Sequence, residues 1–275
     1  MKQAWNIQKR IQKKTLETFR YIYEECRRSG GIIQITADEE SLKKILPLIE
    51  QFAKAAGITK LQPGIKRSLE DYIPYIRQSD KATGNFCTQV MKVSSQTGYA
   101  AAITDCSSFL TNESAAENVL STWLNNHTFW DKIRTIGGAY GADCRIDAGS
   151  KNFIMSSYRD PSPEKTAELF KECLKEVAET PFDPEEIEKT VVSCYGDYIY
   201  PQSAKERGTS SFESMLYGSP MSLKPAVVEK LLSVKAEDVN KAAVSLYENT
   251  KKLYRTSIFC DKSVDCCGNI LKIPL

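Results

Sequence analysis

The chain has 275 residues, of which 41% are hydrophobic and 26% are charged, as in an ordinary globular protein. Its 37 basic and 35 acidic residues leave a net charge of +2 and form no basic run, which disfavours a nucleic-acid-binding arm. No apolar run approaches the ~20 residues that a transmembrane helix needs. The residues after Met1 also lack the apolar core of a secretory signal. The composition predicts an intracellular, cytoplasmic protein that binds neither nucleic acid nor membrane.

The nine cysteines are odd in number and irregularly spaced. Most lie within apolar stretches, where cysteine behaves as a small hydrophobic residue, so we expect reduced thiols. Cys266 and Cys267 are adjacent, with no CxxC motif and no nearby histidine. A metal knuckle at that position is therefore disfavoured.

Hydrophobic periodicity alternates with β-branched runs along the chain. In chain order it predicts a helix at 1–29, a strand at 32–36, a helix at 38–56, strands at 85–93 and 98–104 joined as a hairpin by residues 94–97, a helix at 113–134, and strands at 142–148 and 152–158. Helices at 163–179, 184–200, 204–216, 225–231 and 236–247 and a strand at 252–260 follow. The segment Asp183-Pro184-Glu185-Glu186 is a strong helix start, with a capping aspartate and proline in the first turn. This order predicts an α+β fold, with helices packed on one side of a mostly antiparallel sheet.

The regular pattern breaks down between residues 59 and 84, where Pro63-Gly64 and Pro74 interrupt a mixed segment. We interpret this stretch as a linker. It would separate a helix–strand–helix segment at 1–58 from a complete α+β domain at 85–275.

The stretch from Arg134 to Gly141 is the principal candidate site. In one interpretation it is structural: Arg134 complements the negative end of a helix dipole, Gly137 and Gly138 make the turn, and Tyr140 packs on a strand. In the other, the Arg134 guanidinium binds a peptide carbonyl and the Tyr140 hydroxyl donates to a developing oxyanion. The glycines would then let substrate backbone approach closely. From the residues alone, the structural interpretation is favoured.

Three further motifs carry less chemistry. His127 is the single histidine and cannot build a zinc site, and we expect it to pack on a helix face. Ser156 and Ser157 have no base that could activate a serine nucleophile. The glycines from Gly137 to Gly141 follow a helix, whereas a phosphate-binding loop should precede one.

Two stretches resemble a known family. FWDKIRTIGGAYGADCRIDAGSKNFIMSSYRDPSPEKTAELF (Phe129–Phe170) resembles the C-terminal half of pitrilysin/insulinase-type zinc metallopeptidases, and within them the presequence-protease branch. GIIQITADEESLKKILPLIEQF (Gly31–Phe52) is similar to the closing strand and helix of the third of that branch's four homologous domains. The resemblance implies that residues 1–58 end the third domain and that 85–275 form the fourth, with the fold of LuxS/MPP-like metallopeptidase domains.

The resemblance also implies a mechanism shared between two halves of a clamshell. The N-terminal half of the family holds zinc in an HxxEH motif, and the C-terminal half supplies an arginine and a tyrosine that hold substrate. These map onto Arg134 and Tyr140, with Gly137, Gly138 and Gly141 beside them, and the zinc ligands have no counterpart here.

We therefore expect the C-terminal, non-zinc-binding half of a metalloendopeptidase that degrades unfolded peptides. The chain would carry no cofactor, be inactive alone, and need the N-terminal catalytic half of the same polypeptide, which holds the zinc. A free half would expose its inner wall, so a homodimer is conceivable. The alternative is a non-catalytic homologous subunit or peptide-binding module of the same fold.

Overall fold

The computed structural model describes residues 2–28, 33–57, 88–92, 94–216, 221–261 and 270–273. The chain forms two compact units, one of Met1–Lys66 with Gln202–Glu213 and one of Arg67–Pro201 with Ser214–Leu275. The predicted linker at 59–84 lies outside the described residues. The predicted domain boundaries at 1–58 and 85–275 stay a prediction.

The helices follow the sequence pattern closely. They are α1 (Lys2–Arg28), α2 (Glu39–Ala55), α3 (Asn112–Asn126), α4 (Pro163–Glu179), α5 (Pro184–Ile199), α6 (Ala204–Leu216), α7 (Lys224–Leu232) and α8 (Ala236–Lys252), with a π-helical segment at Trp130–Ile136 and a 3-10 turn at Met221–Leu223. Among the helices described, none is long and apolar enough to cross a membrane.

In the first unit, α2 has well-formed ends. The Asp38 side chain accepts a hydrogen bond from the Ser41 backbone N–H at 2.9 Å, which lowers the pKa of this carboxyl. Gly57 follows the helix with φ 75°, a conformation that favours glycine. The apolar side chains in the described part of α1 are largely exposed within this chain, whereas α2 buries Ala53 and half-buries several other apolar residues.

The strand predicted at 32–36 is wrong for the part that the structure describes. Residues 33–38 have no regular secondary structure, and residue 32 lies outside the described residues. A β-branched run becomes a strand only when another strand accepts its backbone hydrogen bonds. In the described part of the first unit, no strand does so.

The second unit contains a six-stranded sheet of order β3-β4-β2-β5-β1-β6. The strands are β1 (Thr88–Lys92), β2 (Gly98–Asp105), β3 (Gly141–Asp147), β4 (Asn152–Asp160), β5 (Arg255–Cys260) and β6 (Ile270–Ile273). The pairs β3–β4, β4–β2 and β2–β5 are antiparallel, whereas β1 pairs in parallel with β5 and with β6. The mostly antiparallel α+β fold is thereby confirmed.

The predicted hairpin of β1 and β2 is wrong, because β5 lies between them. Thr88 is in register with Thr256 of β5, and the two threonine hydroxyl groups are hydrogen-bonded at 2.9 Å. This partner lies 168 residues away in sequence. Local turn chemistry at residues 94–97 could not reveal it, and consecutive strands are neighbours in only about two-thirds of cases.

Helices cover one face of the sheet. Alternating residues such as Ala100, Met155 and Ile258 are buried and belong to one core cluster. The helices α4 and α8 contact β2, and α3 contacts β3. On the opposite face, the alternate residues Tyr99 of β2 and Tyr158 of β4 are exposed, so this part of the face is open to solvent.

Most of the described cysteines lie in the core, as the sequence suggests, whereas Cys26 is exposed. Cys106, Cys144, Cys173 and Cys194 are buried, and burial raises the pKa of each thiol. These side chains remain protonated at neutral pH and pack as small hydrophobic groups. Cys87, Cys266 and Cys267 lie outside the described residues.

Candidate functional site

The candidate residues lie on one continuous segment of the second unit. The predicted helix at 113–134 begins with Thr111, whose side chain caps α3, and α3 ends at Asn126. The π-helical segment Trp130–Ile136 follows three residues later, after a turn at His127, and carries Arg134. The prediction of one uninterrupted α-helix at 113–134 is therefore wrong, because a 3.6-residue repeat of apolar residues cannot reveal a local π-turn. Such turns occur frequently at functional sites.

The π-helical segment is anchored to the core while its outer side faces solvent. Ile133 is fully buried, and Lys132 forms an ion pair with Glu176 of α4. Arg134 is exposed, and its guanidinium carbon lies 4.0 Å from the centroid of the half-exposed Trp130 ring. A cation–π contact of this kind orients the guanidinium and leaves its N–H donors available.

Tyr140 lies directly before β3 and is 66% exposed. Its backbone N–H donates to the Arg159 carbonyl oxygen at 3.4 Å, which extends the β3–β4 ladder by one residue. The Tyr140 ring meets the Tyr158 ring edge to face, with 5.9 Å between centroids. Arg134 and Tyr140 are therefore both accessible to solvent. Their neighbours differ: Arg134 contacts Trp130, whereas Tyr140 contacts Tyr158 and Arg159. Their joint role stays a prediction.

The glycine pair ends the π-helical segment. The Gly137 N–H donates to the Lys132 carbonyl oxygen at 2.9 Å, and the Gly138 N–H donates to that of Arg134 at 3.1 Å. Gly138 has φ 78°, which favours glycine, whereas a Cβ on Gly137 would lie 2.5 Å from the Ile133 carbonyl oxygen. Both glycines are thus needed for the turn, whatever else they do.

Replacing Gly137 with alanine should lower the free energy of unfolding by about 1–3 kcal/mol, because the backbone must shift to admit the methyl group. Urea denaturation measures this change. Gly141→Ala is the matched control, since its Cβ would meet only the Tyr158 Cβ, at 3.7 Å, and should change stability by less than about 0.5 kcal/mol. Equal stability of the two variants would contradict this account of the turn.

His127 has a structural environment, as expected. Its ring stacks on Trp123 at 4.4 Å with an interplanar angle of 11°, and Nδ1 donates to the Trp123 carbonyl oxygen at 2.9 Å. Within the described ranges, no group of three or more histidine, cysteine, aspartate or glutamate side chains could hold a metal ion.

A family model described as the PreP C-terminal domain matches residues 86–260, which is more than half of the chain. The chain belongs to this family. The match includes the candidate site, RTIGGAYG, and the SYRDP segment at the end of β4. The resemblance to the C-terminal half of pitrilysin-type peptidases, in the presequence-protease branch, is confirmed.

Curated relatives of this presequence-protease C-terminal domain are much longer proteins. Presequence protease 1, chloroplastic/mitochondrial, of Arabidopsis thaliana is 26% identical over 151 residues, covering 55% of this chain and 14% of the relative. The mitochondrial presequence protease of Emericella nidulans is 30% identical over 145 residues, covering 52% and 14%. The chain therefore spans only a small part of these relatives.

Solved structures share the fold. The inactive peptidase domain of a putative zinc protease from Bordetella parapertussis superposes with a TM-score of 0.53 and 14% identity, covering 64% of this chain and 98% of that one. A protease from Helicobacter pylori gives a TM-score of 0.51 and 17% identity, covering 63% and 43%. At these sequence identities, the similarity to the solved structures shows only that this chain shares their fold.

Sequence reasoning missed the aromatic neighbours of the candidate pair. Tyr99, Tyr158 and Trp130 are 39%, 46% and 48% exposed. The sequence predicts Tyr158 only as the last residue of the strand at 152–158 and gives Arg159 no role. The available signal was that large aromatic residues occupy positions that alternate with the buried residues of β2 and β4.

Proposed function

We propose that this chain is the C-terminal, non-zinc-binding half of a zinc-dependent metalloendopeptidase that degrades unfolded peptides. The observation that carries the proposal is the exposed position of Arg134 and Tyr140 in a chain of the presequence-protease C-terminal domain family. Both residues flank the turn that leads into a sheet with an open face. Side chains at such a place can meet a peptide held against the sheet.

Arg134 and Tyr140 would act on the scissile peptide bond. The Arg134 guanidinium would donate hydrogen bonds to a substrate carbonyl, held in orientation by Trp130. The Tyr140 hydroxyl would donate to the oxygen that becomes negatively charged as water attacks. Zinc bound in the N-terminal half would supply the activated water.

Gly141 supports close approach of substrate backbone in this proposal. A Cβ there would make only an ordinary contact, so packing does not demand glycine. The missing side chain instead leaves space beside Tyr140 and Tyr158. Gly137 and Gly138 would contribute in the same way, in addition to their role in the turn.

Metal analysis and a cleavage assay test the proposal. The purified chain should bind less than one zinc per molecule and should not cleave an unstructured peptide. It should nevertheless bind that peptide in a fluorescence anisotropy titration. One zinc per chain, or cleavage that chelators abolish, would overturn the division of labour between the two halves.

A second candidate function is a non-catalytic subunit or peptide-binding module of the same fold. The solved structure from Bordetella parapertussis, which shares the fold, is described as an inactive peptidase domain. A domain of this architecture can therefore carry no catalytic activity of its own, which favours the second candidate. The reading frame of the gene separates the candidates. An upstream in-frame HxxEH motif supports the first, and a native start codon at Met1 supports the second.

We further propose that residues 1–58 complete a preceding homologous domain, with 59–84 as a linker to the domain at 85–275. The exposed apolar stripe of α1, with Leu16, Phe19 and Ile22, supports this, since it needs a covering partner. The N-terminal catalytic half would supply that partner, and a homodimer of this chain is the alternative.

The cytoplasmic location stays a prediction, because the relatives are named for mitochondria and chloroplasts.

A further inference from the structure

We propose that Arg159 is a second substrate-binding residue, which selects a carboxylate group close to the carbonyl held at Tyr140. The inference rests on the proposed function and adds a specificity to it. It is carried by a β-bulge, a row of exposed tyrosines and an arginine that forms no ion pair with the residues that the structure describes.

The β-bulge places Arg159 on the open side of the sheet. Gly98 is in register with Asp160 and Ala100 with Ser157, so two residues of β4, Tyr158 and Arg159, oppose the single residue Tyr99. Strict alternation along β4 would turn Arg159 into the core, since Ser157 is buried and Tyr158 exposed. The extra residue keeps both Tyr158 and Arg159 exposed. Bulges commonly re-aim a side chain in this way beside functional sites.

The backbone at Arg159 is held in an unfavourable conformation. Its φ is 48°, in the left-handed region that few non-glycine residues adopt. The neighbouring residues enforce it: the Ser157 Oγ accepts the Ala100 N–H at 3.1 Å, and the buried Asp160 accepts the Ser162 N–H at 2.8 Å. Strain of this kind, maintained by surrounding contacts, clusters at ligand-binding positions.

Arg159 forms part of a continuous aromatic row. Its guanidinium carbon lies 5.4 Å from the Tyr158 ring centroid and 5.8 Å from that of Tyr140. Tyr158 also meets Tyr99 edge to face at 5.6 Å. These contacts involve the charge of the guanidinium and leave its N–H donors available.

The described part of the chain offers Arg159 no ion pair. The adjacent Asp160 is 1% exposed and directs one carboxylate oxygen to a backbone N–H. An exposed, positioned guanidinium next to aromatic rings has the donor geometry for a carboxylate, which it can bind through two parallel hydrogen bonds.

The distance to Tyr140 limits where the carboxylate can lie in a peptide. The Arg159 guanidinium carbon lies 5.8 Å from the Tyr140 ring centroid, so both side chains can contact one short stretch of peptide. The carboxylate would therefore belong to an aspartate or glutamate near the carbonyl held at Tyr140, or to the C-terminus of a short peptide.

Peptide binding to the purified chain tests the proposal. Three fluorescein-labelled peptides of one unstructured sequence are compared by anisotropy at low salt: one without acids and with an amidated end, one with a single glutamate, and one with a free C-terminal carboxylate. The two acidic peptides separate the sources of the carboxylate. The wild-type chain should bind at least one of them about fivefold to tenfold more tightly than the neutral peptide.

The variants assign that preference to Arg159. Arg159→Gln should abolish the preference, so that this variant binds the acidic and the neutral peptides with equal affinity. Arg145→Gln should retain the preference, because Arg145 is also exposed but pairs with Asp143 on β3 at 3.0 Å. Retention of the preference in Arg159→Gln would overturn the proposal.

The affinities of the wild-type chain for the three peptides also test the proposal, even if a variant fails to fold. Equal affinity for all three peptides would overturn the role of Arg159 and leave the proposed function intact. Failure to bind any peptide would instead count against peptide binding by this chain and, with it, against the inference.

Discussion

Replacing Tyr140 with phenylalanine should lower peptide hydrolysis by the two reconstituted halves by about 10²-fold or more, mainly in kcat. The substitution removes one hydroxyl group that is proposed to donate a hydrogen bond to the developing oxyanion, and loss of one such donor costs that much in other enzymes. Because the bond strengthens in the transition state, KM should change little. Steady-state kinetics on an unstructured peptide measures both constants.

The control for this experiment is Tyr200→Phe. Tyr200 is 62% exposed, close to the 66% of Tyr140, and lies at the end of α5. The Tyr200→Phe variant should retain full activity. Arg134→Ala should lower the rate of hydrolysis at least as much as Tyr140→Phe does, since it also removes the charge positioned on Trp130. Full activity of Tyr140→Phe would show that the hydroxyl has no part in the reaction.

Replacing Phe129 with alanine should lower the free energy of unfolding by about 3–5 kcal/mol. Phe129 is fully buried, stacks on the buried Phe170 with 5.4 Å between centroids, and directly precedes the π-helical segment. The change would leave a cavity beneath the element that carries Arg134. Urea denaturation of the purified chain measures the loss.

Tyr200→Ala is the control for this substitution, because it truncates an aromatic residue that is exposed. It should change stability by less than about 0.5 kcal/mol. A loss below about 1 kcal/mol in Phe129→Ala would mean that the π-helical segment does not depend on the packing beneath it. The assigned basis for the position of Arg134 would then be wrong.

Most helices could be predicted from sequence because their signals are local. Asp183 accepts the Glu185 backbone N–H at 3.1 Å and starts α5 where the capping pattern placed it. Thr111 caps α3 in the same way. A cap and a 3.6-residue apolar repeat are both contained within one stretch of chain, so no distant partner is needed.

The pairing of β1 could not be predicted, because its partners Thr256 and Ile270 lie far away in sequence. The bulge at Tyr158 and Arg159 was missed for a related reason. It exists only in relation to Tyr99 on another strand. Strand patterns report which residues are buried, whereas register depends on the partner.

The candidate site was predictable in part. Arg134 and Tyr140 were singled out from sequence, and both side chains are exposed as a substrate-binding role requires. Their contacts with Trp130, Tyr158 and Arg159 depend on a π-turn and a bulge, which have no simple sequence signature. The chemistry of the pair rests on the family resemblance and on the experiments above.

The most direct measurement of complementation is the rate of peptide cleavage when this chain is titrated into a fixed amount of the zinc-binding N-terminal half of the proposed enzyme. The account predicts no cleavage by this chain alone and a rate that rises to saturation as the chain is added. Chelator-sensitive cleavage by this chain alone, or a rate that does not change on its addition, would contradict the account.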